Sequence, residues 1–232
     1  MSLRLYSSLA GYVTWFILSA CQPSTTEPTS TANDYVLFEK GHYVIYDVQE
    51  ERYGLNASPI QQQYQRKEVI GNPYKDVTGK TAYRLLRYRR SGESQSWQLD
   101  SIWSVRMINN EVIRTENGLD FITLLLPVRN ESSWDGNRRN ALGADTFTAR
   151  NVTGDFYVHG NRFDNTVTVV EHDDSTLVSQ DKRISVYARQ VGLIYRERTQ
   201  LWFCSTTPAC IGRNQIDYGT RQIYRIRAYG YE

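Results

Sequence analysis

From Tyr35 onward, apolar and polar residues alternate at a period of two, interrupted by clusters of Gly, Asn, Asp and Ser. His42 to Val48 sets Tyr43, Ile45 and Asp47 on one face and Val44, Tyr46 and Val48 on the other, the pattern of a half-buried strand. A turn is expected over 54–59 and a looser strand over 61–70, which Gly71-Asn72-Pro73 ends. After a turn at 76–80, Thr81 to Tyr88 places Tyr83, Leu85 and Arg87 opposite Arg84, Leu86 and Tyr88. Ser91-Gly92-Glu93 turns the chain into 96–107, which carries Trp97, Leu99 and the run Ile102 to Val105. Asn109-Asn110 is a hairpin signal answered by 111–115. This half is an antiparallel meander.

The second half is less regular. Phe121 to Leu126 is a continuous apolar run that suits a buried strand or a short helix, and periodicity does not separate the two at that length. Residues 129–143 are loop-like. Strands are expected over 145–152, near 155–159 and over 165–171, with a turn at Asp173-Asp174-Ser175. Within 177–187 the polar Gln180 to Arg183 leaves one helical turn open as an alternative to strand. Strands resume at 192–203 and 222–229. The predicted fold is mainly β: residues 35–232 form one domain, a large curled antiparallel sheet of about nine to eleven strands. So many strands close into a half-barrel, barrel or sandwich. At most one or two short helices are expected, near 178–183 or 119–126.

Composition agrees, since the 17 tyrosines and plentiful Val, Ile and Thr suit a pleated surface. The formal charge is +2; without Arg4, the only charge in residues 1–20, it is 26 basic against 25 acidic side chains, or +1. That balance argues against a nucleic-acid partner. Of three cysteines, Cys204 and Cys210 flank Thr206-Thr207-Pro208. In an exported protein they are expected to form a disulfide closing a surface loop, with free thiols the other reading. A metal site would need more ligands nearby.

Export is what the N-terminus suggests. Arg4 gives a thin positive region, Leu9 to Leu18 an apolar core and Ser19-Ala20 a small-residue cleavage site. The core falls short of the about 20 apolar residues of a membrane span. A plain secretory signal with an incidental cysteine, or a retained N-terminal anchor, would fit the same residues. Residues 22–34 form a polar Pro/Ser/Thr tether that could extend about 40 Å. Leu18-Ser19-Ala20-Cys21 resembles the bacterial lipobox. The resemblance implies cleavage between Ala20 and Cys21, a diacylglyceryl thioether on Cys21 and acylation of the new N-terminus. Two or three acyl chains hold in a membrane where one does not. In such lipoproteins an Asp after the Cys is an inner-membrane retention signal, so Gln22 points to the outer membrane. The organisation is 1–20 signal peptide, 21–34 lipidated Cys and tether, and 35–232 β domain. The strand–turn alternation, the tether and Val191 to Glu197 before the Cys pair resemble uncharacterised outer-membrane lipoproteins of Bacteroidota type, which bring no activity with them. Asp100-Ser101-Ile102 and Asp174-Ser175-Thr176 match the short O-glycosylation pattern of exported proteins of that kind.

No catalytic motif stands out: Gly-x-Ser-x-Gly and phosphate-cradling Gly-rich loops are absent from the sequence. His172-Asp173-Asp174 has metal-ligand residue types, but neighbours on a strand point to opposite faces, so a solvated turn is expected. Glu111, Glu116 and Asp120 flank a strand end and are read as a polar rim. Trp134-Asp135-Gly136-Asn137 suits carbohydrate contact, with a ring to stack and Asp135 and Asn137 to bond hydroxyls; the other reading makes Trp134 a core plug above a turn. If Tyr83, Leu85, Trp97, Leu99 and Ile113 line one concave face, that face suits a hydrophobic ligand.

The expectation is therefore a cell-envelope lipoprotein, a non-enzymatic binding or assembly module without cofactor or metal. Its partners are the membrane through the anchor and a lipid or envelope protein. The alternative is an envelope glycan- or ester-hydrolysing enzyme, or a glycan-binding module using the Trp134 loop.

Overall fold

The computed structural model describes residues 35–232. The signal peptide, Cys21 and the tether lie outside the described residues. Twelve antiparallel strands form one sheet. They are β1 (His42–Tyr53), β2 (Ile60–Lys75), β3 (Thr81–Arg90), β4 (Gln98–Ile108), β5 (Glu111–Glu116), β6 (Leu119–Leu125), β7 (Ser133–Asp135), β8 (Thr146–Val158), β9 (Asn161–Ser175), β10 (Ser179–Ala188), β11 (Gly192–Phe203) and β12 (Ile216–Tyr231). Their spatial order is β6-β5-β4-β3-β2-β1-β12-β11-β10-β9-β8-β7. Two six-strand meanders are thus joined where the first strand pairs with the last.

The two remaining edges, β6 and β7, meet. Ile122 N–H donates to the Gly136 carbonyl at 2.9 Å. The Trp134 indole donates to the Ile122 carbonyl at 2.8 Å, and the Asn140 amide to that of Asp120 at 2.8 Å. The sheet is a nearly closed barrel, and its otherwise unpaired edges satisfy one another.

The class agrees with the sequence pattern; the count of twelve exceeds nine to eleven. Neither place expected to be helical is so. Residues 119–125 form β6, bonded along β5, and 179–183 begin β10. The polar side chains that suggested a helical turn have tertiary partners instead: Lys182 lies 3.0 Å from Glu197 of β11, and Arg183 lies 2.7 Å from Asp145, just ahead of β8. The turn expected at Asp173-Asp174-Ser175 falls at 176–178 instead. Asp173 and Asp174 pair with Lys182 and Asp181, while the Thr176 hydroxyl accepts from Ser179 N–H at 2.9 Å. Asn109 and Asn110 take φ of 50° and 66°, the left-handed pair of a two-residue hairpin. Cys204 and Cys210 are bonded, with Cα atoms 5.6 Å apart.

Strand alternation fixes what lies inside. In β1, Val44, Tyr46, Val48 and Glu50 are buried, whereas Tyr43, Ile45, Asp47 and Gln49 are more exposed. Register carries the inner face round the sheet from Val48 to Tyr224, Arg196, Ser185 and Val169. In the other direction it runs from Val44 to Glu68, Arg87 and Ser101. One end of the interior is stopped by the segment that precedes β1. Tyr35 is fully buried with the Arg189 guanidinium 5.9 Å from its ring, and Phe38 lies 5.6 Å from Tyr83.

A bent arm covers part of the outer face. Asn151, Thr153 and Asn165 adopt φ of 51°, 64° and 51°, and the β8–β9 register breaks beside Gly154. The distal hairpin thereby folds back: Phe156 meets the outward Tyr195 at 5.3 Å, and His159 Nε2 reaches to 3.6 Å from Asp47.

Closure depends on Gly136 having no side chain, because a Cβ there would lie 2.5 Å from the Phe147 ring. Gly136→Ala is expected to destabilise the domain by about 1–3 kcal/mol, the usual range for overpacking. A lower urea midpoint at unchanged m-value would show it.

Candidate functional site in the barrel interior

The inner face carries charge. From β2, Glu68 accepts from Arg87 Nε of β3 at 2.8 Å and from Arg114 Nη2 of β5 at 2.7 Å. Arg114 Nε lies 3.1 Å from Glu116, and Arg196 Nη2 of β11 donates to both Glu116 oxygens at 3.0 and 3.1 Å. Two positions along β11, both Nη atoms of Arg198 donate to Glu171 of β9, which also accepts from Ser185 Oγ at 2.9 Å. The Trp103 ring lies 3.4 Å from the Arg87 guanidinium and 4.8 Å from that of Arg114. Arginine suits such a site: its planar guanidinium is weakly hydrated and bonds carboxylates at two points.

Burial alone would raise the Glu68 carboxyl, but Arg114 and Arg87 overcome it and hold it at about 2. Glu116 behaves alike, burial being outweighed by Arg196 and Arg114, which also hold it at about 2. Glu171 is lowered too, Arg198 overriding burial. Arg198 itself is depressed, by burial first and then by the like charge of Arg196.

This layer divides the interior into two cavities. On the Tyr35 side lies an apolar one of about 70 Å³ among Val44, Ile70, Leu85, Val112 and Leu193. His42 Nε2 also faces that end, buried without a hydrogen bond. On the side of the β5–β6 and β9–β10 turns lies a mouth cavity of about 270 Å³. Strands β10 and β11 give it Arg183, Arg196, Arg198 and Gln200, while Phe121, Leu142 and Phe147 supply apolar wall.

The residues singled out in the sequence are dispersed. Tyr83 and Leu85 share the inner face with Arg87. Leu99, paired with Tyr88, is on the outer face and 54 % exposed, and Trp97 stacks with Arg90 at 4.3 Å. Ile113 is fully buried, but β5 turns it to the face opposite Arg114, against Ile122. In the Trp134 loop, Trp134 is 7 % exposed, with its indole bonded to the Ile122 carbonyl and its ring against Phe147. Asp135 Oδ1 accepts from Asn137 and Asp145 N–H, and Asn137 is buried and bonded to Asn140. These polar groups serve the loop itself. Of the expected rim, Glu116 points inward, Glu111 pairs with Arg138 and Arg139, and Asp120 pairs with Arg106. Among the described residues no group of three or more His, Cys, Asp or Glu side chains is placed to hold a metal ion. Asp100 pairs with Arg66, and Ser101 accepts from Arg87.

Sequence reasoning missed the arginine–glutamate layer. One signal was available: Arg87 continues the face of Tyr83 and Leu85, and a charge on an apolar face requires a buried partner. Nothing local identified that partner as Glu68. Compared with family models, with curated proteins and with solved structures, the chain matches none.

Two outcomes follow from the layer. Glu68→Ala leaves Arg87 and Arg114 uncompensated and should cost about 3–5 kcal/mol in urea unfolding. Because Glu68 and Glu116 fall from an ordinary 4.5 to about 2 on folding, their stabilisation is complete above about pH 5 and is lost as pH drops toward 2. Urea midpoints across that window should decline in the wild type and decline less in Glu116→Gln.

Proposed function

We propose that the protein is a cell-envelope lipoprotein, anchored through Cys21, whose barrel is a non-enzymatic binding module. The observation that carries the binding role is the interior itself. Its carboxylates are committed to arginines, while a cavity of about 270 Å³ stays open at one end. A glycoside hydrolase that works with a pair of carboxyls would need one of them held protonated near neutral pH. The two that border the mouth, Glu116 and Glu171, are held charged instead. Glycan stacking on Trp134 would require a free ring face, and that ring is buried.

The anchor reading rests on Leu18 to Cys21 and on the tether, which leads into Tyr35 at the stopped end of the barrel. A domain held there can present its mouth away from the membrane. Expressed in a Gram-negative host fed an alkyne fatty acid, the wild type should take up the label and Cys21→Ser should not. An unlabelled wild type overturns the anchor. For the binding role, native mass spectrometry of the purified chain should show an organic mass that is lost on denaturation or acquired from envelope extract; a chain that stays apo in both overturns it.

A further inference from the structure

The mouth has an aromatic lip. Trp202 of β11 and Tyr218 of β12 pair across strands with ring centroids 5.0 Å apart and planes 13° apart, and they are 44 % and 49 % exposed. Alternation along β11 sets Trp202 on the face of Arg196, Arg198 and Gln200. The pair thus continues the lumen wall outward, past the mouth cavity that Gln200 borders. The strand ends that carry it are fixed. Phe203 N–H donates to the Val178 carbonyl and Cys204 N–H to that of Gln215, both at 2.8 Å, and the Cys204–Cys210 bridge closes the loop between the strands. Gly219 lets β12 approach β11, since a Cβ there would collide with the Gln200 carbonyl.

What surrounds the pair is small and polar. Register sets Ser179 beside Trp202, while β1 ends at Tyr53, opposite Gly219, and leaves no strand residue beside Tyr218. One step inward lie Gln200 and Thr220, themselves a cross-strand pair. The Trp202 indole N–H, the Tyr218 hydroxyl, the Gln200 amide and the Thr220 hydroxyl have no hydrogen-bond partner among the described residues. The ion-paired layer below differs, since its carboxylates and guanidiniums bond one another. Asp181 and Arg52, which flank Gln200 and Thr220 in the same row, are engaged as well. Asp181 accepts from Arg183 Nε at 3.0 Å, and Arg52 Nε donates to Glu50 at 2.6 Å.

We propose that this lip binds a neutral saccharide: a β-linked chain of equatorially substituted pyranoses, with one sugar stacked on the Trp202–Tyr218 pair and its hydroxyls bonded by Gln200 and Thr220. The face of an aromatic ring is electron-rich and attracts the row of axial C–H bonds that such a sugar presents on each flat side. Amide and hydroxyl groups both donate and accept, which matches sugar hydroxyls. An ionic ligand would call for a free opposite charge, and the charges in this row already have partners. The core of a protein interface is more apolar than this lip, whose rings stand next to Ser179, Gln200 and Thr220. The inference names a ligand class for the binding role proposed above and rests on that reading.

The test is an NMR titration of the full-length ¹⁵N-labelled chain, in a detergent without a sugar headgroup, with chitohexaose and with cellohexaose. Each of the five tryptophans contributes one indole N–H signal, and the one missing in Trp202→Phe belongs to Trp202. At least one oligosaccharide is expected to move that signal saturably while the signal of buried Trp134 stays in place. By calorimetry, Trp202→Ala and Tyr218→Ala should each weaken binding by at least about fivefold, the scale of one aromatic contact. Trp202→Phe should keep more affinity than Trp202→Ala. Gln200→Ala, at an exposed position outside the ion pairs, should also weaken binding with the urea midpoint in place; it carries the test if the ring variants do not fold. Absence of binding by both oligosaccharides to folded wild type overturns the proposal, as does binding that leaves the Trp202 signal unmoved or an affinity unchanged in Trp202→Ala. A wild-type dimer that Trp202→Ala dissociates overturns it too, since a second copy then covers the pair. Such a failure removes the ligand class alone. The anchor is read separately by fatty-acid labelling, and binding of some other ligand by native mass spectrometry.

Discussion

A charge that faces the inside of a barrel must meet an opposite charge there, and in this molecule partners come from distant parts of the chain. Glu68 is satisfied by β3 and β5, Glu116 of β5 by Arg196 of β11, and Glu171 of β9 by Arg198 of β11. The Glu116–Arg196 pair spans the interior, because β5 and β11 lie far apart in the sheet order. Charge pairing and ring closure are therefore one condition. If β6 and β7 did not meet, the sheet could flatten, and the pairs that bridge its two halves would lose their dry surroundings.

That layer also divides the barrel by chemistry. Toward Tyr35 the interior is apolar and nearly full, stopped by the chain's own N-terminal segment. Toward the β9–β10 turn it opens, and the walls mix guanidinium with aromatic surface. A filled, ion-paired waist of this kind separates the two ends, so that a change at the mouth need not disturb the plug.

The sequence was legible where structure is local. The alternation of Val44, Tyr46 and Val48, the Asn109-Asn110 hairpin and the Cys204–Cys210 bridge are each set by near neighbours, and each was expected. The helical alternatives at 119–126 and 178–183 failed because strand partners, not the segments' own periodicity, decide them. Trp134 shows the same limit from the other direction: an aromatic beside Asp and Asn has the composition of a sugar platform, yet its indole is needed to join β7 to β6. Glu116 was grouped with Glu111 and Asp120 as a rim because the three are close in sequence. The pleat sends Glu116 to the other face, where a residue 80 positions away receives it. Long-range charge pairing leaves no signature in a single chain beyond the oddity of Arg87 on an apolar face.

The union of β1 with β12 has a consequence for how the molecule comes to exist. The first strand keeps one edge unpaired until the last sixteen residues arrive, so the two meanders can form early but cannot join. Contacts of such long sequence separation are reached slowly, since the loop between them must close first. Meanwhile the edge of β1, with Tyr43, Ile45 and Tyr46, is a template for any passing strand. A chain released before Ile216 would keep that edge, and that of β11, open for good. Such a fragment is a natural substrate for chaperones and proteases, and the C-terminal strand is where they would distinguish a finished molecule from an unfinished one.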